Sequence, residues 1–142
     1  MTTKNYHELV KDRIYIGGAD DLDDVMKNEK VDIAFDLRAE APKEESKYKR
    51  MHSPIVDNAD QQDESVKKSI DLVVKAYNEG KKVYFHCQGG SNRTGTVAIG
   101  TLLALKKAST MEDAEKIAKA ARPKINVKPE MKETLQRIFP KA

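Results

Sequence analysis

Val83-Tyr84-Phe85-His86-Cys87-Gln88-Gly89-Gly90-Ser91-Asn92-Arg93-Thr94-Gly95 runs from an apolar strand through a short glycine-containing loop towards the apolar stretch Val97 to Leu105, which reads as a buried central helix. Such a strand–loop–helix junction is where α/β proteins bind anions, because backbone N–H groups at the helix start point outward and the helix dipole favours negative charge. Gly89 and Gly90 let the backbone turn with successive N–H groups facing inward. The amides of Gln88, Gly89, Gly90, Ser91, Asn92 and Arg93 are the expected cradle, and a phosphate suits it.

A free thiol ionises near pH 8.5, but a helix N-terminus and a neighbouring guanidinium can lower that to roughly 3.5–7.5. Cys87 stands where both influences converge and is the expected nucleophile. Arg93 offers a planar fork matched to two phosphate oxygens, a geometry lysine cannot reproduce. Thr94 is expected to hydrogen-bond the sulfur and ease its departure from phosphorus. His86 is expected to orient the loop, and His7 and His52 read as surface or strand-end residues. A lone cysteine is usually a small buried hydrophobe and a Gly-Gly pair usually a plain turn. It is the conjunction of strand, Cys, five loop residues, Arg, Thr-Gly and apolar helix that favours chemistry.

Working outward, the chain alternates strands with helices. Arg13 to Ile16 reads as a strand closed by Gly17-Gly18, and Asp20 to Lys30 as a helix with Leu22, Val25 and Met26 on one face. In Val31 to Leu37 the apolar residues alternate with Asp32, Ala34 and Asp36, as in a half-buried strand. Lys47 to Val56 reads as a further strand. Asp63 to Glu79 places Val66, Ile70, Val73, Val74 and Tyr77 at helical spacing, with Gly80 as its cap. Lys82 to His86 is the strand before the loop. Ser109 with Glu112, or Thr110 with Asp113, caps a helix reaching Ala121, and Pro129 opens a last one through Met131, Leu135 and Ile138. The pattern predicts an α/β sandwich, with a central, mainly parallel sheet flanked by helices, as one domain over 1–142.

Composition narrows the function classes. Lys plus Arg number 26 against 23 Asp plus Glu, a net charge of +3 with no basic block. Nucleic acid is therefore not an expected partner. One Cys forbids an intrachain disulfide, and with three scattered His it is too few for a structural zinc site. The start MTTKNYHELVK lacks the apolar core of a signal peptide, and no stretch approaches the roughly 20 apolar residues of a membrane span. A cytoplasmic location, where a thiol stays reduced, is expected.

His86 to Gly95 resembles the His-Cys-five residues-Arg-Thr/Ser-Gly signature of protein tyrosine phosphatases, and the remaining chain looks like their small dual-specificity branch. Ile14-Tyr15-Ile16-Gly17-Gly18 is similar to that branch's opening strand. Tyr48 to Asp57 is similar to the strand leading to its general acid, and Ala121-Arg122-Pro123 followed by Pro129 to its C-terminal helical segment. The resemblance implies a metal-independent, cofactor-free, monomeric phosphomonoesterase acting on phosphotyrosine, and also on phosphoserine or phosphothreonine, in proteins. It also implies a general acid upstream of the Cys, which an alkyl or aryl oxyanion needs in order to leave. Asp57 is the first candidate and Asp60 the second; Asp63 is better explained by proximity to a helix N-terminus. Two other readings stand beside this one: an RNA 5′-triphosphatase, whose loop Asn92-Arg93-Thr94-Gly95 resembles, and a silent phosphate-binding module. Arg38, at a predicted strand end, lies either near the cleft or in a surface ion pair.

Overall fold

The structure, a computed structural model, describes residues 5–39, 50–56 and 59–142, with the backbone alone at 59 and 60. Among the described residues, five short strands form one sheet: β1 (His7–Val10), β2 (Ile14–Gly17), β3 (Ile33–Asp36), β4 (Arg50–His52) and β5 (Val83–His86). Their spatial order is β1-β2-β5-β3-β4. β1 and β2 are an antiparallel hairpin. The other three pairings are parallel, which requires long crossovers, and helices supply most of that length. β5 is thus central, and its carboxyl end delivers Cys87 between the ends of β2 and β3.

The strand period of two divides the side chains between two layers. Ile14, Ile16, Ile33, Phe35, Val83 and Phe85 pack into the larger core with α2 (Ala59–Asn78), α3 (Asn92–Ala104), α4 (Met111–Ala121) and α5 (Pro129–Ile138). Tyr15, Ala34 and Tyr84 face the other way, onto Leu22, Val25 and Met26 of α1 (Leu22–Glu29). α2 and α3 approach closely at Gly100, where any side chain would strike Ile70. No helix among the described residues is long and apolar enough to cross a membrane.

The mainly parallel, helix-flanked sheet agrees with the sequence pattern, and the differences are local. β3 is buried along its whole length rather than on one face, because β5 and β4 flank it and helices cover both sides. Its Asp36 is admitted to the interior by an ion pair with Arg38 at 2.7 Å. α2 starts four residues before Asp63, and of the strand expected over 47–56 the described residues form only β4. Thr110, not Ser109, caps α4 by accepting from the Asp113 N–H, and Pro129 is the first residue of α5. β1 was not anticipated, since four residues with Leu9 as the one buried member carry too little periodicity.

Candidate active site

Cys87 follows the last residue of β5, and α3 starts at Asn92, so Arg93 and Thr94 belong to the first helical turn. That turn folds Thr94 back over the cysteine. Its hydroxyl accepts from the Cys87 N–H at 2.9 Å and donates to Cys87 Sγ at 3.1 Å, closing a small ring. Cys87 is only 6% exposed. Burial pushes its thiol up, but the Thr94 hydroxyl and the backbone N–H groups of Thr94, Ser91 and Gly90 outweigh it, and the thiol lies below its ordinary range. The sulfur is therefore stabilised as a thiolate by the loop that encloses it.

The donors point inward because the carbonyls on the same peptide planes are held outward. Gln88 O accepts from the Ala19 N–H at 3.1 Å. Gly89 O and Gly90 O accept from the guanidinium of Arg122, at 3.2 and 2.9 Å. Gly90 has φ +72, and an added Cβ would lie 2.6 Å from the Gly17 carbonyl and 2.7 Å from Arg122, so glycine is required there. Gly89 has open space around its Cα. The helical end of the loop is tied as well: Ser91 Oγ donates to Lys124 O at 2.9 Å, and Asn92 Oδ1 accepts from the Lys128 N–H at 2.9 Å. What results is a tied-down ring of amides around a buried sulfur whose thiolate form the loop favours, at a helix N-terminus, an arrangement suited to a tetrahedral anion.

A family model described as dual specificity phosphatase, catalytic domain, matches residues 14–139. The chain belongs to the dual specificity phosphatases. It is accordingly a cysteine-based phosphatase of the protein tyrosine phosphatase superfamily. Solved structures share the fold: human DUSP28 at 15% identity (96% of this chain, 93% of that one, TM-score 0.80) and DUSP15 at 16% (96% and 88%, TM-score 0.81). Tk-PTP in its active form is 21% identical over 99% of this chain and 100% of its own, with a TM-score of 0.78. No curated protein sequence matches the chain.

In this dual specificity phosphatase the sequence-predicted residues Cys87 to Thr94 come together as one loop. Arg93 is half-buried, and its Nε donates to Ile55 O at 2.9 Å, which ties the guanidinium to the segment after β4. That segment leads to Asp57, which lies outside the described residues, as does the side chain of Asp60. Asp63 faces elsewhere: it accepts from Arg137 and from Thr134 Oγ1, joining α2 to α5. His86 is fully buried, stacks on Tyr84 at 5.5 Å, and has Nδ1 3.1 Å from Cys87 O. Burial holds it below the ordinary imidazole range, so it is neutral near pH 7.

Sequence reasoning did not assign the residues behind the loop. Arg122 is 2% exposed and grips two loop carbonyls from the end of α4. The local signal was Pro123: a residue before proline is pushed out of helical geometry, and Arg122, extended at φ −140, swings away from the helix. Arg38 lies near the loop, as the first of its two readings had it, and its ion pair is with a buried carboxylate rather than at the surface. It chelates Asp36 through Nε and Nη2, and its Nη1 donates to Gln88 Oε1 at 3.1 Å, at the loop's rim.

Proposed function

We propose that this phosphatase hydrolyses phosphate monoesters of proteins, phosphotyrosine foremost and phosphoserine or phosphothreonine in addition, through a phosphocysteine intermediate. The observation that carries the chemistry is the Thr94 hydroxyl donating to the Cys87 sulfur, which with the loop N–H groups holds the thiol below its ordinary range despite burial. The thiolate attacks phosphorus in line with the ester oxygen. The cradle and Arg93 hold the equatorial oxygens, whose charge is the main thing to be stabilised in phosphoryl transfer. Asp57 protonates the departing oxygen, forming the alcohol or phenol. In the second step Asp57 takes a proton from water as the oxygen attacks phosphorus, and sulfur leaves as the thiolate while Thr94 donates to it. A protein substrate is favoured by the loop between Cys87 and Arg93, whose Gln, Gly, Gly, Ser and Asn include no Lys that would pair with a highly charged inositol head group.

Hydrolysis of para-nitrophenyl phosphate with EDTA present, over pH about 4.5 to 8 to span carboxylate and thiolate titrations, is the direct test. Wild-type turnover that Cys87→Ser abolishes is expected. Asp57→Asn should slow phenyl phosphate, a poor leaving group, far more than para-nitrophenyl phosphate; equal losses would remove the acid role from Asp57. Substrate class is then read by competing phosphotyrosine, phosphoserine and phosphothreonine peptides against a 5′-triphosphorylated oligonucleotide and a phosphoinositide. Preference for either of the last two would overturn the protein-substrate reading.

A further inference from the structure

Arg122 reaches the loop carbonyls, but something must in turn hold Arg122. Its Nη1 donates to Asn5 O at 2.5 Å and to His7 Nδ1 at 2.9 Å, and both acceptors belong to the N-terminal segment that ends in β1. A guanidinium has donors only, so Nδ1 of His7 must carry its lone pair inward, which requires the neutral imidazole with its proton on Nε2. The peptide planes at the other end of this chain of contacts are specific ones. Gly89 O shares a plane with the Gly90 N–H and Gly90 O with the Ser91 N–H, and those two N–H groups are among the donors that lower the Cys87 thiol.

We infer that His7 is a positioning residue for the thiolate cradle: as a neutral acceptor it seats Arg122 on the carbonyls of Gly89 and Gly90, and its protonation unseats it. The inference rests on the loop acting as the anion site proposed above. His7 is half-buried and lines a cavity of about 480 Å³ shared with Gly18, Asp20, Gln88 and Lys124, so solvent protons reach it. The charged groups acting on it are Arg122 from the end of α4, Lys124 from the following loop, and Asp21 from the turn after β2. Burial, then the Arg122 and Lys124 charges, hold its proton affinity below the ordinary imidazole value, against the opposing pull of Asp21. His7 is therefore neutral near pH 7 and becomes a cation only below the ordinary imidazole range. Protonation would turn Nδ1 from an acceptor into a donor facing another donor, and would place two positive charges 2.9 Å apart at the nitrogens. Arg122 would then be displaced and the two peptide planes freed to rotate their N–H groups off the anion and the sulfur.

Inorganic sulfate, which does not titrate in this range, isolates the effect. Its affinity for the wild type, His7→Ala and His7→Gln is measured between pH 5 and 8 from the amide shifts of Gly90 and Ser91, alongside melting curves and the pH dependence of Cys87 alkylation. Because His7 acts on the anion only through Arg122, its loss should cost less than the roughly ten- to hundredfold of a direct hydrogen bond to a charged group, and His7→Ala should bind sulfate about three- to tenfold more weakly at pH 7.5. Cys87 should also ionise at higher pH in that variant. Gln keeps an acceptor that cannot protonate, so His7→Gln should restore most of the affinity and lose the acid step of the wild type. Wild-type behaviour of His7→Ala at every pH, or an unchanged acid step in folded His7→Gln, would overturn the inference. Amide shifts need no turnover: a wild type inactive on every phosphate ester but with His7-dependent sulfate affinity would sink the proposed function and leave this inference standing.

Discussion

On the proposed mechanism, Thr94 and Cys87 carry the chemistry at the smallest scale. One hydroxyl both accepts from the cysteine's own N–H and donates to its sulfur, so removing it leaves a buried donor unpaired and a thiolate less stabilised. A hydrogen bond to a charged group is worth about 1.5–3 kcal/mol. Thr94→Val, which keeps the volume, should therefore slow the thiol-dependent steps roughly ten- to hundredfold. It should also move the pH at which iodoacetate alkylates Cys87 upward, since the Thr94 hydroxyl is the largest influence pulling the thiol down. An unmoved alkylation profile would mean that the backbone N–H groups suffice. Gly90 shows the same economy in the backbone: its left-handed φ and the carbonyl packed against it leave room for nothing larger, whereas Gly89 beside it faces open space.

At the scale of elements, the end of β3 and the turn after β2 converge on the loop that follows β5, and each ties it at Gln88. The end of β3 contributes Asp36 and Arg38. Burial pushes the Asp36 carboxyl up, but hydrogen bonds from the Arg38 guanidinium and amide outweigh it, and the group lies below the usual carboxylate range. Such a carboxylate adds stability that is complete above the ordinary Asp value near 3.9 and is lost as pH falls through its depressed folded value. Breaking a buried ion pair from one side costs about 3–5 kcal/mol. Arg38 is 27% exposed, so Arg38→Met should cost somewhat less, about 2–3 kcal/mol in urea unfolding at pH 7. A change below about 0.5 kcal/mol, the ordinary range of surface substitutions, would show that the pair is stabilised by solvent alone.

Across the whole molecule, several interior groups titrate with the same sign. Burial holds His86 below the ordinary imidazole value, burial and Arg122 do so for His7, and the loop holds Cys87 below the ordinary thiol value. In each case the unfolded chain binds the proton at a pH where the folded chain does not, so unfolding free energy rises with pH. For the two histidines the stabilisation is complete above about 6.5 and erodes as pH falls from there towards their folded values; Cys87 adds a further rise from its folded value up to about 8.5. Urea midpoints should therefore fall steadily from pH 8 to pH 5. His86→Asn, which removes a buried group with an unpartnered Nε2, should flatten the acidic part of that curve. A midpoint independent of pH over this range would contradict the burial of these groups as neutral imidazoles and a thiolate.

The sequence by itself determined the sheet class, the order of its helices and the strand–loop–helix around Cys87, because each rests on interactions between near neighbours. Apolar periodicity marks α2 and α5, Thr110 and Pro129 mark helix starts, and Cys87 through Thr94 form their site within a single turn of chain. Only the tertiary structure decided what holds that loop open. Arg122, Ala19 and Arg38 reach it from positions tens of residues away in sequence, and His7 reaches Arg122; Pro123 and a strand end mark two of these places in the chain, but not the carbonyl or side chain each residue meets. Their roles depend on strand order. β5 lies between β2 and β3, so its carboxyl end is reached by the turn after β2 on one side and the end of β3 on the other. Buried carbonyls there must find donors wherever the fold places them, and a pairing fixed by spatial proximity leaves no periodic trace in the chain.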